Sequence, residues 1–302
     1  MYHVPVMLAE CLNGLAINPN GVYVDITFGG GGHSKAILEQ LGPKGKLYAF
    51  DQDPDAKHNA KAIDDKRFTF IDANFRNIQR FLRVYAVKQV DGILADLGVS
   101  SYQFDTAERG FSTRFDADLD MRMNQRTELS AREVLNDYEQ ATLHKIFGMY
   151  GEVHNAKTLA AAVCASRPFF TVNDFKEVLN HFAPRHREHK YYAQAFQAVR
   201  IEVNDELGAL QDFLLQSVEL LKPDGRLVVM SYHSLEDRLV KNFINKGKFH
   251  GEVDKDLYGN ELKPLQSIVR KAIEASEDEV NINPRARSAK LRIASPKSKA
   301  DS

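Results

Sequence analysis

Over residues 22–28, VYVDITF, the side chains at Val22, Val24 and Ile26 alternate with other positions, which predicts a short strand. The period then lengthens. Ile37, Leu38 and Leu41 lie at helical spacing within 34–41, and Gly42-Pro43 ends that helix. The same alternation of periods continues: strands over 46–53, 67–75 and 90–98, and helices over 54–63 and 77–87, the first of these opened by Pro54. Strand–helix–strand repetition of this kind predicts a parallel sheet with right-handed crossovers.

The rhythm breaks after residue 105. Between there and 205 no convincing strand pattern occurs, while 130–138, 141–151, 154–166 and 172–182 read as helices, with Ser130 and Glu133 forming a capping box. The α/β rhythm resumes with a helix over 205–225, whose Leu207, Leu210, Leu214 and Leu221 mark one face. A fifth strand over 225–234 and a helix over 235–247 follow, and two more strands are expected at 265–273 and 288–295. The expected organisation is a discontinuous α/β domain, 1–105 plus 206–302, interrupted by an all-helical insert, 106–205.

The loop after the first strand, GGGGHS at 29–34, stands where open α/β sheets bind nucleotides. Glycine there serves either the loop's own dihedrals or the close approach of a ligand to the main chain. The run is not a G-x-G-x-x-G fingerprint, and no Gly-Lys-Ser/Thr follows, which disfavours an NTPase. Asp51, closing the second strand about twenty residues on, is placed to accept from the ribose hydroxyls of an adenosine. Asp72, Asn74 and Phe75 at the third strand's end can meet an adenine edge and face, and Asp96 closes the fourth strand. NAD, FAD and S-adenosylmethionine all fit this layout.

Composition narrows the setting. The chain has 302 residues, 43% of them hydrophobic and 27% charged, enough for a substantial core. No uninterrupted apolar run approaches a membrane span, and the N-terminus lacks a secretory pattern, so a cytoplasmic protein without membrane association is expected. Cys11 and Cys164 are far apart and imply no disulfide framework. A net charge of −1 argues against coating nucleic acid by charge alone. Basic residues are nevertheless clustered at 184–190 and in the tail, where Arg285, Arg287, Lys290, Arg292, Lys297 and Lys299 stand against Asp301. Nothing in the pattern specifies an oligomeric state.

Several segments carry a more specific resemblance: HVPVMLAE at 3–10, DITFGGGGHS at 25–34, FDQDPDA at 50–56, DLGVSSYQFD at 96–105, ERGFS at 108–112, LDMRM at 119–123, FQAVRIEVNDEL at 196–207, SYHSLEDRLVK at 231–241 and NPRARSAKLRIA at 283–294. In this order they resemble the RsmH (MraW) family of bacterial 16S ribosomal RNA (cytosine-N4)-methyltransferases. Tyr232 stands where that family commonly has Phe, and Tyr102 where Pro is common. The resemblance implies a class I, Rossmann-like methyltransferase sheet with an inserted helical substrate domain. It also implies S-adenosylmethionine as donor and a cytosine in the decoding region of small-subunit rRNA as acceptor. Cofactor contacts are implied for Gly31, Gly32, His33, Asp51, Phe75, Asp96 and Gln103.

For the chemistry, the proton of the cytosine amine is expected to pass to Asp96 or to a main-chain carbonyl of DLGVS, with Asp96 alternatively serving only the cofactor. His233 is the candidate for contact with the target base, and His33 shapes the cofactor pocket. His181, His186 and His189 do not match a zinc-ligand pattern, and the reaction needs no metal. Arg185, Arg187, Lys190 and Arg200 in the insert, with Arg285, Arg287 and Arg292 near the C-terminus, are the candidate phosphate contacts to 16S rRNA or the small ribosomal subunit. Tyr102, Phe104 and Phe111 could stack on an extracted base or pack the insert. The rival classes are a nucleotide-dependent oxidoreductase and a non-catalytic RNA-binding assembly factor.

Overall fold

A computed structural model describes residues 5–297; His3, Lys299 and Asp301, and the side chain of Tyr102, lie outside what it describes. The elements run α1 (Leu8–Leu15), β1 (Val22–Asp25), α2 (Gly32–Gln40), β2 (Lys46–Asp51), α3 (Pro54–Ala60), β3 (Phe68–Asp72), α4 (Ile78–Val84), β4 (Val90–Asp96) and α5 (Ser101–Asp105). They continue with α6 (Ala131–Asp137), α7 (Gln140–Met149), α8 (Ala156–Ala165), α9 (Val172–Asn180), α10 (Glu188–Asn204) and α11 (Glu206–Leu220). The chain closes with β5 (Leu221–Ser231), α12 (Ser234–Lys246), β6 (Leu265–Ser267), β7 (Ile273–Glu274), α13 (Glu277–Ile282) and β8 (Lys290–Pro296).

Two compact units result. One runs to Gly98 and resumes at Leu207; the other is Val99–Glu206. The first boundary therefore falls earlier than residue 105. Gly98 turns the chain with a φ of +93°, and Val99 and Phe104 already pack on the helical unit's core.

The first unit is an eight-stranded sheet of order β3-β2-β1-β4-β5-β8-β6, with β7 also on β8. β1 to β5 pair in parallel, and β8 runs antiparallel to β5. This is the Rossmann-like arrangement, and strand order reverses between β1 and β4, the place where such sheets open a crevice. Alternation along the strands feeds two cores. Val24, Ile93, Ala95, Leu227 and Val229 face α4, α11 and α12, whereas Tyr23, Leu94, Val228 and Met230 face α1 and α2. β5 begins earlier than its apolar run, because Leu221 pairs with Val90 before the register shifts to Arg226 opposite Gly92.

The second unit is helical around Phe147, Phe169, Phe175 and Phe196. Its longest helix, α10, is absent from the sequence-based expectation, which read 184–190 only as a basic cluster. Tyr191, Ala195, Ala198 and Val199 are buried at helical spacing, so the signal was present. α1 was missed as well. The expected strand at 265–273 is two short pieces, both paired with β8. Among the described residues no helix is long and apolar enough to cross a membrane.

Candidate active site

The parallel strands β1 to β4 each end on an aspartate: Asp25, Asp51, Asp72 and Asp96. Their carboxyl ends are neighbours in the order 72, 51, 25, 96, so four acids line one edge of the sheet beside the glycine turn.

The glycines divide by purpose. Gly29 and Gly31 have φ of +50° and +76°, the left-handed region. A Cβ on Gly31 would lie 2.7 Å from Cζ of Phe28, and one on Gly32 would lie 2.3 Å from Cγ of Pro5. The protein itself requires those two. A Cβ on Gly30 would meet nothing within 4 Å. The turn leads into α2, whose hydrogen-bond ladder begins with Lys35 N–H donating to the Gly31 carbonyl at 2.9 Å, and no side chain caps it. Main-chain donors of the first turn thus face the loop, an arrangement suited to a carboxylate.

Asp51 holds this turn. Its Oδ2 accepts from Gly29 N–H at 2.8 Å and its Oδ1 from Asp53 N–H at 2.9 Å. Asn59 on α3 donates to the Gly29 carbonyl at 3.2 Å. Burial pushes the Asp51 carboxyl up to about 6, against the pull of the two N–H donors and with the nearby Asp53 and Asp25 charges adding to the rise. Two lone pairs of the carboxylate remain for other donors. Asp72 is paired with Lys57 at 2.9 Å. Asn74 accepts from Arg76 N–H and donates to Gln52 at 3.1 Å, and Phe75 meets Phe213 edge-on at 5.9 Å.

Asp96 sits in a denser network. Tyr232 donates its hydroxyl to Oδ1 at 2.7 Å, and His33 Nδ1 lies 3.8 Å from Oδ2. His33 is buried, and its Nε2 stands 3.1 Å from the Val6 carbonyl, which can only accept; Nε2 therefore carries a proton. Burial pushes Asp96 up to about 6 as well, opposed by His33 and Tyr232 and reinforced by Asp25 and Glu236. Beneath it lies a layer that the sequence reading missed. Asp96 N–H donates to Thr27 Oγ1 at 2.7 Å, Thr27 N–H donates to Asp25 Oδ1 at 3.1 Å, and Ser34 donates to Asp25 Oδ2 at 2.7 Å. An aspartate inside the apolar run VYVD was the available signal, because such a group is rarely buried without partners.

His233 caps α12. Its Nδ1 accepts weakly from Glu236 N–H at 3.5 Å, while Nε2 is buried 3.2 Å from Glu236 Oε1 without hydrogen-bond alignment. Gln103 belongs to the second unit, where it is buried and accepts from Ser100 N–H at 2.9 Å.

The candidate phosphate contacts separate into two groups. Arg200 forms a bidentate pair with Glu206, at 2.8 and 3.0 Å, and Arg292 with Asp237, at 2.7 and 3.1 Å; both pairs are largely buried. These two arginines are spent on internal partners. Arg185, Arg187 and Lys190 are exposed at and before the start of α10, Arg287 is exposed, and Arg285 is half-buried in the turn before β8. Phe111 is buried in the second unit's core with the Arg109 guanidinium 5.7 Å from its ring centre, and Phe104 is half-buried beside Arg114.

The expected cofactor fits what is present: an open approach at Gly30, uncapped main-chain donors for a carboxylate, and an aspartate with lone pairs to spare for ribose hydroxyls.

The family model described as the MraW methylase family matches residues 1–297. Ribosomal RNA small subunit methyltransferase H of Cytophaga hutchinsonii is 59% identical over 297 residues, covering 97% of this chain and 99% of that protein. The protein of the same name from Amoebophilus asiaticus is 57% identical over 295 residues, covering 97% and 95%. A solved structure of a putative rRNA-methylase from Clostridium thermocellum aligns with a TM-score of 0.45 at 13% identity, over 98% of this chain and 100% of that one. With the family model matching residues 1–297 of its 302, this chain belongs to the MraW methylase family.

Proposed function

We propose that this protein methylates small-subunit ribosomal RNA, and that its acceptor is the exocyclic N4 of a cytosine in the decoding region of 16S rRNA, reached in the cytoplasm. The methyl donor is S-adenosylmethionine, which supplies an electrophilic methyl group on a sulfonium. The observation that carries the reading is the row of strand-end aspartates beside an uncapped glycine turn, in a chain that matches proteins named small-subunit rRNA methyltransferase over 97% of its length.

The residues divide the work. Main-chain donors of Gly32 and His33 hold the amino-acid end of the cofactor beside Gly31, whose own N–H is taken by the Phe28 carbonyl at 2.7 Å, and Asp51 accepts from its ribose. Phe75 supplies an apolar surface next to the Asn74 amide. Methyl transfer is an in-line displacement, so the protein mainly aligns the two centres and excludes water. The amine of cytosine is a poor nucleophile because its lone pair is delocalised into the ring. An acceptor at its N–H returns density to nitrogen and takes the proton as the new bond forms. With its carboxyl at about 6, Asp96 is ionised at neutral pH and can do this through Oδ2. His233, partly buried at the N-cap of α12 just after β5, is the candidate contact to the target base. Arg185, Arg187, Lys190, Arg285 and Arg287 are the phosphate contacts.

The test is mass spectrometry of 16S rRNA from cells lacking the gene, beside in vitro methylation of that RNA by the purified protein. Loss of one N4-methylcytosine, restored in vitro, supports the reading. An unchanged methylation pattern sinks it.

A further inference from the structure

The two oxygens of Asp96 are treated differently by their surroundings. Oδ1 receives the Tyr232 hydroxyl at 2.7 Å, whereas the nearest ring nitrogen to Oδ2, on His33, is 3.8 Å away, beyond hydrogen-bond reach. The tyrosine comes from a distant part of the chain and is itself held. Its N–H donates to Glu236 Oε2 at 3.0 Å, its ring packs on the core shared with α1 and α2, and the Cβ position of Gly98 lies 3.4 Å from its Cδ2. The ring therefore rests against the turn that follows Asp96. The main chain of Asp96 is fixed separately, through its N–H to Thr27. What remains to be set is the rotation of the carboxylate about its last bond, and the Tyr232 hydroxyl is the group that sets it.

We propose that Tyr232 is a positioning residue for Asp96, holding Oδ1 so that Oδ2 is the single oxygen presented to the reacting groups. The proposal rests on the methyltransferase reading only for what Oδ2 acts upon; the contact itself is independent of it. The phenol is suited to the task because burial and the Asp96 charge push its own ionisation far up, so it remains a donor throughout the working range. The other ionisable groups facing Asp96 are His33 from α2, Asp25 from β1, Glu236 from α12 and Cys11 from α1. Three of these four are acids, so the hydroxyl and His33 are the groups that favour the charged carboxylate. Removing the hydroxyl frees the rotation and makes the carboxylate harder to form.

The experiment is a carbon-13 NMR titration of the cofactor-free protein labelled at aspartate carboxyls, with the Asp96 signal assigned by its disappearance in Asp96→Asn. In Tyr232→Phe, which keeps the ring, the Asp96 midpoint is expected to rise by about one pH unit. The acidic limb of the pH–kcat profile on rRNA should move up with it. Replacing Tyr232 by 3-fluorotyrosine, a more acidic phenol of nearly the same shape, is expected to move the midpoint down, and it covers the case in which Tyr232→Phe fails to fold. A midpoint that stays put in either folded variant overturns the proposal. Because the titration uses no RNA and no cofactor, failure of the methylation assay would count against the proposed function and leave this result intact.

Discussion

Ser34 donates its hydroxyl to Oδ2 of Asp25 at 2.7 Å, joining the first turn of α2 to the end of β1. Asp25 is 1% exposed, and its carboxyl is raised by burial despite its hydrogen bonds. Through Thr27 the same carboxylate supports the main chain of Asp96. Ser34→Ala leaves a buried acid short of a donor, which should cost about 1–3 kcal/mol. Urea unfolding of the variant measures it; a change under about 0.5 kcal/mol would show that Asp25 does not depend on this bond.

The glycine turn gives a contrast between neighbours. Gly31→Ala forces a Cβ into the Phe28 ring at a positive φ and should destabilise the chain by about 1–2 kcal/mol. Gly30→Ala meets no protein atom and should leave the melting temperature nearly unchanged. It should nevertheless weaken S-adenosylmethionine binding at least tenfold by calorimetry. Undiminished affinity in Gly30→Ala would place the cofactor elsewhere.

Stability should depend on pH in a direction opposite to that of ordinary acid denaturation. Asp51 and Asp96 hold their carboxyls at about 6, above the unfolded value. Each binds its proton more tightly when folded, so its contribution is full below about pH 4 and is lost as pH rises through about 6. Asp65, lowered to about 2 by the Arg67 guanidinium and N–H, works the other way and loses its contribution as pH falls from about 4 toward 2. The cofactor-free protein should therefore become more stable from pH 7 down to about 5. Each raised carboxyl should contribute about 1–2 kcal/mol, allowing for the solvent that still reaches it. Thermal melts of wild type and Asp51→Asn check this; an identical slope in both removes Asp51 from the account.

The arginines should separate by role. Arg285→Ala combined with Arg287→Ala should weaken rRNA binding and flatten its salt dependence, by a slope of about 1.4 on a log–log plot, without altering cofactor affinity. Arg292→Ala should instead strip Asp237 of its bidentate partner and cost about 3 kcal/mol of stability. Filter binding across a salt series and thermal melts distinguish the two. Matching losses of stability in both variants would make all three arginines structural.

Much of this protein is written locally. Strand alternation and helical spacing placed β1 to β4 and the helices between them, because each burial pattern is read within a few residues. The strand-end acids Asp51 and Asp96 were legible for the same reason, since a parallel sheet brings all its carboxyl ends to one edge. α10 was lost where charged residues precede its apolar stripe. The segment over 265–273 was read as one strand, although its pairing is defined by β8 and not by its own pattern.

What the sequence alone could not assign were the partners. Arg200 and Arg292 have the same charge as Arg187, and only the folded chain shows that Glu206 and Asp237 have taken them. Asp25 reads as one more residue in a strand until Thr27 and Ser34 are seen closing over it. Tyr232 and Asp96 are 136 residues apart, and no periodicity links them. Local patterning fixes which face of an element is apolar. The meeting of polar groups from distant segments is decided by sheet order and register, which are properties of the whole packed unit.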